Sequence, residues 1–268
     1  MNLVTIQPRL HQLSEYVKMA QSEDFHLELI EPAYPENLDR LEEHFSTLLE
    51  GLPDGLAKVL HGPYIDIAVH TADREIREAS RRRVAESLKW AKSLGVESLI
   101  LHSNHLPMIN EAGYDRQWLR GTLDFFDSID LGSVTVLIEN MWDSSPDLTV
   151  ELVERFDSEQ LRLCFDSAHW NVYGRSSLDE WFQQAGKYTP YVQYGDNFGD
   201  HDADLALGSG NLDWSELDRC LRTYAPGADV MVGVGIDDGR RLTESLAFLR
   251  GHRIHPFPRL SAPGPDGE

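Results

Sequence analysis

Short apolar runs alternate with amphipathic segments along the chain, and this pattern predicts alternating strands and helices. The segments 134–138 and 161–165 are largely apolar and short enough for strands that are buried on both faces. The segment 74–94 instead carries apolar residues at helical spacing and meets a glycine, Gly95, a residue that often ends helices. Strands that alternate with helices favour a parallel sheet.

Eight strands and eight helices follow from this pattern. The predicted strands are 3–6, 25–30, 56–60, 98–101, 134–140, 161–166, 191–194 and 230–236. The predicted helices are 10–19, 37–49, 74–94, 115–129, 148–155, 178–186, 214–224 and 242–249. We therefore expect an α/β fold, a single (β/α)8 TIM barrel over residues 1–250 without a linker-like break. The segment 251–268 holds four prolines and three glycines, so we expect an irregular tail there.

Composition narrows the class of protein. The 268 residues suit one barrel, and no run of about 18 apolar residues predicts a membrane helix. No signal peptide is recognisable, and the two cysteines, Cys164 and Cys220, lack metal-ligand spacing. We therefore expect a cytoplasmic protein with reduced cysteines, and we expect Cys164 to lie in the core. The net charge of −21 opposes nucleic-acid binding. We expect a small-molecule substrate and no membrane partner. Whether the protein forms a homo-oligomer is left open.

Five successive predicted strands, the third to the seventh, end in polar residues of the types that bind metals or substrates. In a barrel, the carboxyl ends of all strands converge on one face, so these residues should lie close together. Imidazole and carboxylate groups together suit zinc, manganese or iron, and a carboxylate-rich set suits magnesium or manganese. The residues are His61, His102, Glu139, Asp166 with His169, and Gln193 with Asp196, followed in the next loop by Asp202 and Asp204.

Each residue also has an ordinary structural interpretation. Asp166 is a good N-cap for a following helix, which Glu139 is not. His61 precedes Gly-Pro and fits a turn, and His102 fits a core histidine whose hydrogen bonds are satisfied. Trp142 and Trp170 are equally suited to packing on a sugar ring and to filling loops. The whole set is harder to explain as structure, so it predicts a site.

The ordered motifs resemble those of the xylose isomerase-like TIM barrels. This superfamily includes AP endonuclease family 2 and the sugar phosphate isomerases and epimerases. The resemblance covers nearly the whole chain to about residue 250, and it specifies the fold better than the reaction. The stretches that carry it are 61–64 (His-Gly-Pro-Tyr), 80–102, 138–140 (Ile-Glu-Asn), 165–169 (Phe-Asp-Ser-Ala-His) and 196–211.

The resemblance implies roles for individual residues. Glu139 would be both a metal ligand and the catalytic base. Further metal ligands would be Asp166, His61 and His102. His169 would be a catalytic residue that binds a substrate oxygen or a second metal. Residues expected to contact substrate are Asn104, Asn140, Trp142, Trp170, Gln193, Asp196 and Asp202.

The chain departs from the family pattern at three positions. Gln193 and Asp204 stand where the family has histidines, and Gly233 stands where it has a glutamate on the eighth strand. We therefore expect at most one divalent metal, Mn, Mg or Zn. Gly208 and Gly210 lie where barrels often bind phosphate, although no nearby lysine or arginine supports such a site.

The expected function is that of a sugar isomerase or epimerase-like enzyme. It would act on a small hydroxy-carbonyl substrate through metal-assisted proton abstraction by one carboxylate. The loss of the eighth-strand glutamate removes the usual second base and argues against two-base epimerisation. The alternative is a degenerate barrel that binds a sugar-like ligand without turnover. An AP-endonuclease-type nuclease is less favoured.

Overall fold

Eight parallel strands close into one barrel in the order β1 to β8, with β8 paired to β1. The computed structural model describes residues 2–40, 45, 48, 50–233 and 239–258. The strands are β1 (Val4–Ile6), β2 (His26–Leu29), β3 (Ala57–His61), β4 (Ser98–His102), β5 (Thr135–Glu139), β6 (Leu161–Asp166), β7 (Tyr191–Tyr194) and β8 (Asp229–Val232). The predicted (β/α)8 TIM barrel is therefore confirmed.

Helices follow the strands and cover the outside of the barrel. In the described part of the chain they are α1 (Leu13–Glu23), α2 (Pro35–Leu38), α3 (Arg74–Leu94), α4 (Tyr114–Phe126), α5 (Asp147–Phe156), α6 (Ser167–Tyr173), α7 (Leu178–Ala185), α8 (Trp214–Tyr224) and α9 (Gly239–His252). Short 3₁₀ helices span Leu10–Gln12, Glu31–Ala33 and Gly186–Tyr188. None of the described helices is both long and apolar enough to cross a bilayer.

Helix α3 shows why local sequence fixes many of these elements. Asp73 caps its first turn, since its side chain accepts hydrogen bonds from the backbone N–H groups of Glu75 and Ile76. Gly95 ends the helix with a φ of 68°, a left-handed conformation that favours glycine. The observed range agrees with the prediction residue for residue.

Two predicted elements extend beyond the described residues, and one observed helix was not predicted. Most of the predicted helix 37–49 lies outside the described residues, which include α2 at its start. The predicted strand 230–236 ends at Val232, and residues 234–238 lie outside the described part. Helix α6 was not predicted, because a helix of 7 residues is too short to display a clear periodic pattern.

Inward-facing side chains of β3 to β8 form two levels in the barrel interior. An apolar level is formed by Val59, Ile100, Leu137, Cys164, Tyr191 and Met231. Side chains two residues apart on a strand point to the same face, so the next inward position on each strand lies one level nearer the carboxyl ends. Those positions are 61, 102, 139, 166, 193 and 233, which carry the predicted site residues of β3 to β7 and Gly233 beyond β8. Cys164 is a buried core residue, as predicted.

Candidate metal centre at the carboxyl ends of the strands

Glu139 lies at the centre of the polar level and is contacted by three histidines. Its side chain is 1% exposed. Oε2 lies 3.2 Å from Nε2 of His61, and Oε1 lies 3.3 Å from Nε2 of His102 and 3.0 Å from Nδ1 of His169. A buried carboxylate is costly unless cations or hydrogen-bond donors meet it, and here three imidazoles do so.

Asp166 both caps helix α6 and faces the same centre. Its Oδ1 accepts a hydrogen bond from the backbone N–H of His169 at 2.7 Å, which confirms the N-cap interpretation. The same oxygen lies 3.6 Å from Nδ1 of His169, whose Nε2 lies 3.5 Å from Oδ2 of Asp202. The two interpretations of Asp166 are therefore compatible, because the short helix it caps is the element that carries His169.

The pKa values of these groups are shifted in different directions. Burial alone would raise the pKa of Glu139, but His102, His169 and His61 outweigh it and hold that pKa well below the usual value. Burial would lower the pKa of His169, but Asp166, Asp202 and Glu139 raise it well above its usual value. Burial lowers the pKa of His102, and it raises that of Asp166 to about 7. Glu139 is thus ionised at neutral pH, and the neighbouring carboxylates favour the charged form of His169.

The donor atoms fit a divalent metal. Two groups of ligand atoms, each within 4.8 Å of one another, share Glu139: one contains His61 and His102, the other Asp166 and His169. Nδ1 of His61 lies 2.9 Å from the carbonyl oxygen of Gly62, a partner that requires a proton on Nδ1. The Nε2 atom of a neutral His61 then presents a lone pair to Glu139, and either a proton or a metal ion must lie between them.

A cavity of about 220 Å³ opens above this centre at the carboxyl end of the barrel. Eight residues of the predicted set line it: His61, His102, Glu139, Asp166, His169, Gln193, Asp202 and Asp204. Lining residues that were not predicted as site residues include Gln7, Tyr34 and Tyr64. Tyr64 belongs to a motif at the end of β3, and Tyr34 follows β2, so position after a strand was the available signal. The guanidinium of Arg9 stacks 3.8 Å from the centre of the Tyr34 ring.

The other predicted substrate residues lie outside the described lining of this cavity. Asn140 ties β5 to β6, since it donates to the carbonyl oxygen of Asp166 at 3.0 Å and accepts from the N–H of Asp166 at 2.8 Å. Trp170 packs against Phe165 in the core, with ring centroids 6.5 Å apart. Asn104 has a φ of 48°, and Trp142 is half-buried. Substrate contact by these four residues stays a prediction.

Asp196 binds backbone amides of its own loop. Its Oδ2 accepts hydrogen bonds from the N–H groups of Gly208 and Gly210 at 2.8 and 3.0 Å and from Nε1 of Trp214 at 3.1 Å. A Cβ atom at position 210 would lie 2.2 Å from Oδ1 of Asp196, so only glycine fits there. The amides that resembled a phosphate site are therefore occupied by a carboxylate of the chain itself.

Gln193 and Gly233, which replace family ligands, have distinct surroundings. The side-chain amide of Gln193 donates to Oε1 of Glu28 at 2.8 Å. Glu28 was not predicted as a site residue, although a charge in the middle of the apolar run 25–30 was a visible signal. The N–H of Gly233 donates to the carbonyl oxygen of Tyr194 at 2.7 Å, and Gly233 is not among the glycines with positive φ.

A larger hollow of about 590 Å³ lies at the amino-terminal end of the barrel. Its charged groups largely neutralise one another, since Lys58 pairs with Glu97 and Arg162 pairs with Glu159. Ligand sites in TIM barrels lie at the carboxyl end, where the histidines and carboxylates of this chain converge. The cavity of about 220 Å³ is therefore the better candidate.

Comparisons with known proteins agree with this architecture. The family model described as "Xylose isomerase-like TIM barrel" matches residues 15–252. An uncharacterized protein of Methanocaldococcus jannaschii is 25% identical over 204 residues, which are 72% of this chain and 68% of that protein.

Solved structures give the same fold at low identity. A Thermus thermophilus protein soaked with zinc chloride has a TM-score of 0.71 at 21% identity, covering 97% of this chain and 100% of that one. A D-tagatose 3-epimerase-like protein scores 0.70 at 19% identity, with 94% and 97% covered. A 3-keto-D-glucoside 4-epimerase of E. coli scores 0.68 at 16% identity, with 94% and 100% covered.

Proposed function

The chain belongs to the xylose isomerase-like TIM barrels, and from this premise we propose that it is a divalent-metal-assisted enzyme acting on a small hydroxy-carbonyl sugar. The observation that carries the proposal is the enclosure of Glu139 by three imidazoles beneath a cavity at the carboxyl end of the barrel. Mn, Mg and Zn are the candidate ions, and mixed nitrogen and oxygen donors favour Zn or Mn. His61, His102, Glu139 and Asp166 would hold the ion.

The reaction class follows from what each side chain can do. A bound metal would stabilise negative charge on the oxygen of an enediolate. Glu139 is ionised at neutral pH, so it can take the proton from the carbon beside the carbonyl. His169, kept protonated by the neighbouring carboxylates, can return a proton to a substrate oxygen. One-base isomerisation or elimination needs no second carboxylate and is the reaction that we assign.

The charge of the cavity argues for a neutral substrate. No lysine or arginine occurs among the described residues that line it, whereas Glu139, Asp166, Asp202 and Asp204 do. The amides of Gly208 and Gly210 are already bound to Asp196. These features support an unphosphorylated sugar, and an acidic wall also opposes binding of a nucleic acid, so the nuclease alternative is disfavoured.

A binding protein without turnover is the second candidate. The observation that favours it is the engagement of Gln193 with Glu28, together with a glycine at position 233, because both replace residues that the family uses as ligands. Such a protein would bind a sugar-like ligand through the same cavity. Metal content separates the candidates, since an enzyme of this type carries nearly one metal per chain.

The test combines metal analysis with an exchange assay. Purified protein would be analysed for bound metal, then incubated with a panel of ketoses in heavy water while the carbon beside the carbonyl is followed by NMR. We expect nearly stoichiometric metal and deuterium incorporation without inversion. Metal-free protein that exchanges no deuterium after loading with Mn²⁺ or Zn²⁺ would overturn the proposal. Clean inversion with deuterium on the opposite face would instead reveal a second base.

A further inference from the structure

Glu28 forms a hydrogen-bonded anchor beneath the wall of the cavity. It is fully buried, and its Oε1 accepts from Nε2 of Gln7 at 2.7 Å and from Nε2 of Gln193 at 2.8 Å. Its Oε2 accepts from the hydroxyl of Tyr191 at 2.8 Å, which is in turn hydrogen-bonded to Thr5. Glu28 itself is not among the described residues that line the cavity, but Gln7 and Gln193 are.

These contacts fix which end of each amide faces the cavity. An oxygen that accepts two hydrogen bonds requires the NH₂ groups of both glutamines to point toward Glu28. The carbonyl oxygens of Gln7 and Gln193 then lie on the opposite side of each planar amide. The orientation is the same if Glu28 carries a proton, because Oε2 can share that proton with Tyr191 while Oε1 still accepts.

In the described part of the chain, no hydrogen bond reaches the side-chain carbonyl oxygen of Gln7 or Gln193. Within the described residues, the only side-chain hydrogen bonds of Gln7 and Gln193 are those that their amide nitrogens donate to Glu28. Gln7 follows β1 and Gln193 lies on β7, and both strands pair with β8. Beyond β8 stands Gly233, which also lines the cavity and has no side chain that could cover the two amides.

We propose that Glu28 is a positioning residue that turns the carbonyl oxygens of Gln7 and Gln193 into the cavity, where they bind hydroxyl groups of the substrate. This inference deepens the proposed function and rests on it, since it assigns a specificity to the same site. A carbonyl oxygen accepts hydrogen bonds and donates none. The wall formed by Gln7 and Gln193 therefore selects groups that donate.

The chemistry of this wall distinguishes between classes of substrate. A sugar hydroxyl can donate to either carbonyl oxygen, whereas a carboxylate, a phosphate or a second carbonyl would place acceptor against acceptor. The wall therefore favours a polyhydroxylated sugar with free hydroxyls at this end of the molecule. A glutamine thus stands at the family's histidine position as a recognition group rather than as a lost metal ligand.

Fluorinated sugars test this assignment directly, because a fluorine that replaces a hydroxyl cannot donate a hydrogen bond. The probes are D-tagatose, D-fructose and their monofluoro-deoxy analogues, each titrated calorimetrically into the full chain loaded with Mn²⁺. For the wild type, replacement of one or two particular hydroxyls should weaken binding by about 10- to 100-fold, since a buried acceptor is left unpaired. Replacement of the other hydroxyls should have smaller effects.

Glu28→Gln is the informative variant, because a glutamine at 28 no longer holds both amides in one orientation. The penalty for fluorine should fall to about 3-fold or less, while bound metal stays at the wild-type level. Glu31→Gln is the matched control: it is the same change at another buried carboxylate, one that accepts from the N–H of Leu10 and from Asn37. It should keep the full penalty.

Gln7→Met removes one carbonyl and should abolish the penalty at one hydroxyl, which keeps the test open if Glu28→Gln does not fold.

The outcomes separate this inference from the proposed function. If the metal-loaded wild type binds sugars but every fluorine penalty is equal in the wild type, Glu28→Gln and Gln7→Met, the inference is wrong and the proposed function stands. If the wild type binds none of the sugars with or without metal, both are wrong. A metal content that falls in Glu28→Gln would contradict a purely positioning role and overturn the inference.

Discussion

Glu28 and Glu139 are two glutamates of one barrel interior, with exposed fractions of 0% and 1%, yet their partners differ in kind. Glu28 meets two amides and a phenol, and Glu139 meets three imidazoles. Burial raises the pKa of Glu28, whereas the imidazoles lower the pKa of Glu139 in spite of its burial. At these two positions, neutral donors anchor Glu28 without overcoming the effect of burial on its pKa, whereas three imidazoles do overcome it at Glu139.

The comparison also separates two kinds of site. Around Glu139 the nitrogen atoms of the histidines can exchange their protons for a metal ion, so the cluster is suited to a cofactor. Around Glu28 the donors are amide and phenol groups, which bind metals poorly but hold a fixed geometry. Two of the four predictions below test this difference directly, and the first has the largest expected effect.

Glu139→Gln should remove the metal centre. The change preserves shape but removes the charge that the two candidate ligand groups share. Metal affinity should fall by more than about 100-fold and any turnover should fall with it. Metal analysis after dialysis measures the effect, and Glu28→Gln is the matched control that should retain its metal. Equal metal content in both variants would mean that the two glutamates do not differ as the comparison requires.

Gly233→Ala should destabilise the fold and reveal how little space lies beside β8. A Cβ atom there would lie 2.9 Å from the backbone oxygen of Tyr194, so the strands must shift. We expect the free energy of unfolding to fall by about 1–3 kcal/mol in urea titrations. At Gly227 an added Cβ meets nothing within 4 Å, so Gly227→Ala should be nearly neutral. Equal effects at both positions would contradict the close contact.

Tyr191→Phe should weaken the anchor of Glu28 without disturbing Glu139. It removes the phenol that donates to Oε2 of Glu28 and leaves a buried acceptor unpaired. The loss should be about 1–2 kcal/mol in the free energy of unfolding, with unchanged metal content. Tyr188→Phe is the control, because the hydroxyl of Tyr188 donates to Glu154 at an exposed position and should contribute less than about 0.5 kcal/mol. A larger loss in the control would refute the role of burial.

His70 extends the comparison to a buried histidine packed against aromatic rings. It packs near His105, Tyr114 and Trp118, and burial, followed by the charge of His105, lowers its pKa to about 4. A folded-state pKa below the unfolded value of about 6.5 means that the unfolded chain binds the extra proton first. The contribution of His70 to the stability of the fold is therefore fully present above about pH 6.5 and is lost as the pH falls toward 4.

The free energy of unfolding should fall by about 2 kcal/mol through this group. This is less than the full pKa shift would give, because the site is not completely enclosed. Urea titrations between pH 7 and pH 4 should show a flatter decline for His70→Phe than for the wild type. His201→Asn, a change at an exposed histidine, serves as the control. An unchanged slope in His70→Phe would show that His70 does not contribute to acid sensitivity.

Several features followed from the sequence alone. Apolar runs with helical segments between them specified the barrel, because the periods of strands and helices are local properties of the chain. The two-residue period also explains why His61, His102, Glu139 and Asp166 share one level: each stands two residues beyond an apolar position that faces inward. Their convergence was predictable once the strands were known to close.

Other features were decided only by the tertiary structure. Glu28 meets Tyr191 and Gln193 across 163 and 165 residues of sequence, and no local pattern encodes such a contact. Asp196 turned toward the amides of Gly208 and Gly210, and Trp170 toward Phe165, because packing selects one rotamer among several that the local backbone allows. The sequence therefore determined which residues reach the carboxyl end of the barrel, and the direction in which each polar group points there was set by neighbours from distant strands.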